Sequence, residues 1–205
     1  MKDNEEDKVI QRFEEIFENN DKKLTNTILL DNNMKNLASV FVERGRRSIK
    51  LAHFLYELSL MELFEKEHSD AIRQIKIRYF LNPDESFYDW IIEIAYYGMY
   101  DLATSALAKE GFKCTTHYTT RLTLEYLYCV KGRDREKLFK IYDRVLLKRK
   151  FIQDLKNAQD KRETARYKTP DLISKKDAEE VLQDAKAFEK EILALVIGSE
   201  KQVQE

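Results

Sequence analysis

The stretch Ser86–His117, SFYDWIIEIAYYGMYDLATSALAKEGFKCTTH, decides the fold. Trp90, Ile94, Tyr97 and Asp101 recur at steps of three and four, and so do Ile91, Ala95, Gly98 and Leu102. Apolar residues therefore occupy most of a helix's circumference, the pattern of a helix surrounded by others rather than lying on a surface. Ala95, Gly98, Ala103, Ser105 and Ala106 let neighbours approach closely, while the aromatics fill the remaining space. Ser86 with Asp89 resembles a capping box, with Asp in place of the usual Glu. Gly111 supplies the left-handed residue that ends the helix. The stretch predicts the central helix of an all-α domain.

Upstream, Ile10, Phe13, Ile16 and Phe17 share one helical face, and Asn19-Asn20-Asp21 breaks it. Leu24 and Ile28–Leu30 read as a second short helix, so residues 1–33 form a helical arm. From Met34 a long helical pattern runs through Leu37, Val40, Ile49, Ala52 and Leu58 to Phe64, with a kink or restart expected at Gly45. A further run, Ala71–Phe80, follows His68-Ser69-Asp70, and Pro83 ends it, since a proline disfavours helix in the residue before it. Downstream, Thr115 or Thr116 caps a helix reaching about Val130. Asp134 caps the longest helix, which runs towards Tyr167. Ser174 and Asp177 form a capping box for Lys175–Ile197, which buries Val181, Leu182, Ala185, Phe188, Ile192 and Leu195. No strand is expected. The reading is an up-and-down bundle of about five helices over residues 34–198, with the arm before it and a tail at 199–205.

Composition agrees. Only 2 prolines and 5 glycines against 36% charged residues favour long helices with few turns. The net charge of −1 identifies no partner, so the distribution of charge has to carry any electrostatic argument. Cys114 and Cys129 are too few for a zinc site or a disulfide framework and read as reduced thiols. The acidic start, MKDNEEDK, is not expected to be a signal peptide, and no run approaches the about 20 apolar residues of a membrane span. A cytoplasmic protein is expected.

Several chemistries find no motif: a Gly-rich phosphate loop, HExxH, GxSxG and CxxC are all missing, and no ExxH pair is expected to face a bundle core as a di-metal site would require. No metal and no cofactor is expected. Basic residues dominate from Lys131 to Lys168. Lys140, Arg144 and Lys148 align at i, i+4, i+8, and Arg162 and Arg166 form a similar pair, either as solvated faces or as a phosphate-binding stripe. Arg44, Arg46, Arg47 and Lys50 make a second cluster of the same kind. Of three histidines, His68 reads as solvated and His53 as a half-buried helix residue. His117 stands in the first turn of a helix, where unpaired backbone N–H groups attract anions. Asp101 and Glu93 read as helix acids hydrogen-bonded to nearby tyrosines.

The order of residues in this stretch resembles the HEPN superfamily. Tyr88-Asp89-Trp90, Ala95-Tyr96-Tyr97, Met99-Tyr100, Ala106-Leu107, Lys109, Gly111, Lys113 and His117 fall in register on that family's first long hairpin. AQDKRETARY at 158–167 is similar to its A-x-x-x-R-x-x-A-x-Y helix end, and the resemblance covers roughly residues 46–197. It implies a four- or five-helix bundle, commonly a homodimer. Many members are metal-independent ribonucleases, often toxins restrained by a nucleotidyltransferase-like antitoxin; others bind nucleotides without cleaving. In active members an arginine holds the scissile phosphate, and a histidine four to six residues later moves protons. Arg162 matches the arginine, but Tyr167 stands where the histidine is expected, and a tyrosine with a pKa of about 10 is a poor base at neutral pH. Arg47 and His53 have the right spacing on the wrong helix. His117 can supply an imidazole instead. The resemblance thus implies a site of Arg162, His117 and Tyr167, with Arg166, Lys113, Lys140, Arg144 and Lys148 contacting RNA or a nucleotide. The alternative is a helical protein that binds another chain and no nucleic acid.

Overall fold

A computed structural model describes residues 3–18, 27–60, 66–79, 86–130, 149–167 and 173–197. In chain order the elements are α1 (Asp3–Glu18), β1 (Ile28–Leu30), a 3-10 turn (Asn32–Leu37), α2 (Ala38–Ser59), α3 (Lys66–Arg78) and α4 (Tyr88–Lys109). There follow β2 (Phe112–Cys114), α5 (His117–Glu125) continued by a π turn (Tyr126–Val130), α6 (Arg149–Tyr167) and α7 (Lys175–Ile197). The protein is an all-α helical bundle, and among the described residues no helix is long and apolar enough to cross a membrane.

The central helix is where the sequence puts it. α4 packs against α2, α5, α6 and α7, and buries Ile91, Ile92, Ala95, Tyr96, Met99, Leu102, Ala103, Ala106 and Leu107 in the main core. α2 runs antiparallel beside it, close at Gly45 and Gly98 because neither residue carries a side chain. From the other side, α6 contributes Phe151, Ile152 and Leu155, while α7 contributes Val181, Leu182, Ala185, Phe188 and Ile192. Val196 rather than Leu195 completes the buried face of α7. Lys109 Nζ donates to the carbonyls of Leu195 and Val196, joining the end of α4 to the last turn of α7.

Some local expectations are met at the atoms. Gly111 has φ +82°, the left-handed value its place after α4 requires. Thr116 caps α5 reciprocally with Thr119. Ser174 Oγ accepts from Asp177 N, and Asp177 Oδ2 accepts from Ser174 N.

Others are corrected. Ile28–Leu30 is a strand, not a helix; it pairs antiparallel with β2, with Leu29 opposite Lys113. Gly45 produces no break, because α2 continues through it. The N-cap of α4 is Phe87 and not Ser86; its backbone N–H is taken by Ser59 Oγ at 3.0 Å, from the end of α2. Trp90 is 59% exposed, so the first turn of α4 escapes the packing that encloses the rest. Asp101 pairs with Arg44 at 3.4 Å, and Glu93 with Arg166 at 3.3 Å, where tyrosine partners were expected. Burial still pushes the Asp101 carboxyl up, against the pull of Arg44.

The arm helix α1 has its own small core. Phe13 stacks on Tyr126 with ring centroids 3.9 Å apart, and Phe17, Phe112, Ile28 and Leu122 surround the pair. Arg149 at the start of α6 reaches Glu5 at 3.1 Å and Glu6 at 3.4 Å, adding an ionic tie.

Candidate anion site at Arg162 and His117

Three tyrosines of α4 form the floor of the site. Tyr96 and Tyr100, one turn apart, lie on one stripe of the helix; Tyr97 sits beside them. The turn at Gly111, strand β2 and the Thr116 cap then bring the first residue of α5, His117, over this floor. Its ring centroid is 4.4 Å from Tyr100, 5.4 Å from Tyr96 and 6.3 Å from Tyr97. Thr119 Oγ1 donates to the Thr27 carbonyl beside the ribbon, so the start of α5 is tied to β1 as well as capped. Thr120 Oγ1 donates to the Tyr100 hydroxyl at 3.4 Å.

Arg162 enters from α6. Its guanidinium carbon lies 5.1 Å from the Tyr97 ring centroid and 5.6 Å from that of Tyr96, within range for cation–π attraction. Nη2 donates to the Tyr97 hydroxyl at 3.1 Å. The residue is 8% exposed, and its buried Nε has no hydrogen-bond partner among the described residues. A buried unpaired donor on a cation is costly. Two residues far apart in sequence, both singled out from it, therefore share the same pair of tyrosine rings.

The electrostatics follow from this packing. The Tyr96 hydroxyl lies 2.6 Å from His117 Nδ1. Burial raises the Tyr96 pKa far above the ordinary phenol value, although Arg162 pulls the other way, so this hydroxyl keeps its proton. Burial lowers the His117 pKa, and the nearby Arg162 charge lowers it further, against a weaker opposing effect of Glu163. At neutral pH the imidazole is uncharged. The cluster is thus one fixed cation, one neutral imidazole and several phenols. Such a set stabilises an anion.

The remaining sequence candidates divide. Arg166, a turn beyond Arg162, is exposed and ion-paired with Glu93, so the two arginines of α6 do not form one stripe. Lys113 is exposed on β2 and forms no hydrogen bond or ion pair with the cluster among the described residues. Tyr167 is the last residue of α6, and its side chain lies outside the described part. Lys140, Arg144 and Lys148, and the helix start expected at Asp134, lie outside the described residues, as does the side chain of His68. In the second basic cluster Arg44 is paired with Asp101 and Arg46 with Glu189, and His53 Nδ1 sits 3.2 Å from Glu57. Cys114 and Cys129 form no disulfide among the described residues; burial raises Cys114 to about 11, which makes it a poor nucleophile.

Tyr96, Tyr97 and Tyr100 are the site residues that sequence reasoning passed over. The i, i+4 spacing of Tyr96 and Tyr100 was available as a signal, but in so aromatic a helix it reads first as packing. A groove of about 260 Å³ between α2 and α7, lined by Lys50, His53, Phe54 and Lys186, does not include this cluster. No protein-family model matches the sequence, and comparison with curated proteins finds no match.

Proposed function

We propose that this chain is a HEPN-type protein that binds RNA or nucleotide phosphates at the Arg162–His117 cluster. The observation that supports this is the guanidinium of Arg162, held against Tyr96 and Tyr97 with one donor unused, beside a histidine kept neutral. Structural ion pairs satisfy their donors. This cation has no carboxylate partner among the described residues, and a phosphate would supply one. The finer form of the reading is a toxin-type, metal-independent endoribonuclease whose motif ends in Tyr167. Purified protein incubated with labelled single-stranded RNA tests both forms, by retention on a filter and by product length without added metal. Retention that weakens steeply as salt rises is expected. Arg162→Lys, which keeps the charge but loses the planar fork, weakens retention, and Arg162→Ala abolishes it. Unchanged binding and cleavage in a folded Arg162→Ala protein would remove the site assignment.

One observation favours a second reading, an interaction protein. Val40, Leu51 and Phe54, about half exposed, lie on one face of α2 together with Arg44 and Arg47. A second copy of the chain or a nucleotidyltransferase-like antitoxin would cover such a face. An assembly of this kind resists salt, whereas phosphate contacts do not, so one salt titration of the purified protein separates the readings.

A further inference from the structure

His117 has two possible roles beside an anion: to take a proton from a nucleophile, or to give a hydrogen bond. Counting the hydrogens around its ring decides between them. Among the described residues the Tyr96 hydroxyl has a single hydrogen-bond partner, His117 Nδ1, and its residue is 1% exposed, which shuts it off from bulk water. If the ring carried its hydrogen on Nδ1 and donated to Tyr96, the phenol hydrogen would be buried with no acceptor. That arrangement wastes a donor and carries the full desolvation cost. The satisfied arrangement has Tyr96 O–H donating to Nδ1, which places the hydrogen of the neutral ring on Nε2. Nε2 makes no hydrogen bond among the described residues and is not one of the buried polar atoms that lack a partner, so it is open to solvent. Tyr97 shows the same polarity: its oxygen accepts from Arg162 Nη2, and its own hydrogen has no acceptor among the described residues. Among the described residues the groups facing His117 are Tyr96, Tyr97 and Tyr100 of α4 and Arg162 and Glu163 of α6; of these Glu163 is the one acid, and it accepts instead from Gln159 Nε2.

We propose that the cluster is a donor-only cradle for a phosphoryl oxygen, in which His117 offers its Nε2–H to the anion and Tyr96 is the positioning residue that holds that tautomer. This rests on the RNA or nucleotide-phosphate reading and deepens it. His117 holds a phosphodiester and does not take the proton from a 2′-hydroxyl, because the nitrogen open to solvent already carries a hydrogen and the other is occupied by Tyr96.

Long-range ¹H–¹⁵N spectra of the labelled full chain at pH 7 read the tautomer directly. The three histidines are told apart by the spectrum of His117→Gln. The expected result is an Nε2–H ring for His117 and a shift of that Nε2 when a 2′-O-methyl oligoribonucleotide, which cannot be cleaved, is added. Tyr96→Phe should turn the ring into a mixture of tautomers and weaken oligonucleotide binding on the order of five-fold, the loss of one hydrogen bond. His117→Gln, which keeps an N–H donor at similar reach, should retain more binding than His117→Leu. An Nδ1–H ring or an imidazolium at pH 7, in protein that still retains RNA, would overturn the assignment and leave the RNA reading standing. An Nε2–H ring that ignores the oligonucleotide, in protein that retains no RNA, would overturn the RNA reading and the donor role with it.

Discussion

Gly45 of α2 and Gly98 of α4 meet backbone to backbone. A Cβ on Gly45 would stand 2.8 Å from the Gly98 carbonyl oxygen and 2.7 Å from Leu102 Cγ, and a Cβ on Gly98 would stand 3.0 Å from the Gly45 oxygen. Alanine at either position gains about 1 kcal/mol of helix propensity. It also overpacks the core, because each Cβ would meet a branched side chain close to its backbone (Leu102 Cγ for Gly45, Ile49 Cγ1 at 2.7 Å for Gly98) as well as the facing carbonyl, at a cost of about 1–3 kcal/mol. Gly98→Ala is therefore expected to be net destabilising by up to about 2 kcal/mol, seen as a lower urea midpoint with an unchanged slope.

These two glycines show why part of the fold was legible and part was not. Gly98 lay in a recognisable stripe of small residues, so close packing around α4 could be read from sequence. Gly45 had no such context and looked like a helix breaker; its partner is on another helix. The same division separates the caps. Thr116 and Ser174 act on residues three positions away and were visible. Phe87 N–H is satisfied by Ser59 Oγ across an interhelical turn, and no local pattern announces that.

Removing the Thr116 cap tests the local reading and the site together. Thr116→Ala loses the acceptor for Thr119 N and is expected to cost about 1 kcal/mol, measured by thermal unfolding. Because His117 is the next residue, oligonucleotide binding should also weaken. Ser174→Ala, at the comparable cap of α7, should cost a similar amount and leave binding unchanged.

The lowered His117 pKa predicts a pH dependence whose sign is set by linkage. Folding favours the neutral ring, so its contribution is intact above the unfolded value of about 6.5 and is lost as pH falls through the folded pKa. Asp101, Glu125, Asp154 and Asp184, all raised by burial, act in the opposite direction, gaining stability as they protonate. The informative quantity is the difference between the parent and His117→Gln. The variant's melting temperature should fall less, or rise more, than the parent's between pH 7 and pH 5.

Asp154 is a second electrostatic test. It is 6% exposed, its Oδ2 lacks a hydrogen-bond partner, and burial, then the charge of Asp184, raises its pKa. An acid with a raised folded pKa costs stability once it ionises. Asp154→Asn should raise the urea midpoint at pH 7, and the gain should shrink towards pH 3, where both forms are neutral.

Phe13→Ala would empty the centre of the aromatic cluster that seats α1 on Tyr126 and Phe112. A loss of about 3–5 kcal/mol is expected if α1 unfolds together with the bundle. If α1 releases alone, limited proteolysis should cut the arm while the helical circular dichroism of the bundle persists.

The candidate site was half legible. Arg162 and His117 were picked out by residue type, position and resemblance, and both reach the cluster. Their shared floor was hidden because Tyr96, Tyr97 and Tyr100 sit in a helix whose every face suggests packing. The burial of Arg162 was hidden because an i, i+4 arginine pair on a charged helix reads as solvated.

The ribbon between β1 and β2 also constrains how the chain assembles. Ile28 pairs with Cys114, so everything from α2 to the end of α4 lies inside the loop that this pairing closes. The antiparallel pairs α2–α4 and α6–α7 close shorter loops and can form early, whereas the ribbon must wait until α4 is packed and Gly111 has turned. Thr119 hydrogen-bonds Thr27, next to the first strand, so the final setting of the α5 start that carries His117 belongs to this late step. The core of the protein can be native before its binding cluster is, and refolding followed by tryptophan-independent helix signal should run ahead of recovery of oligonucleotide binding.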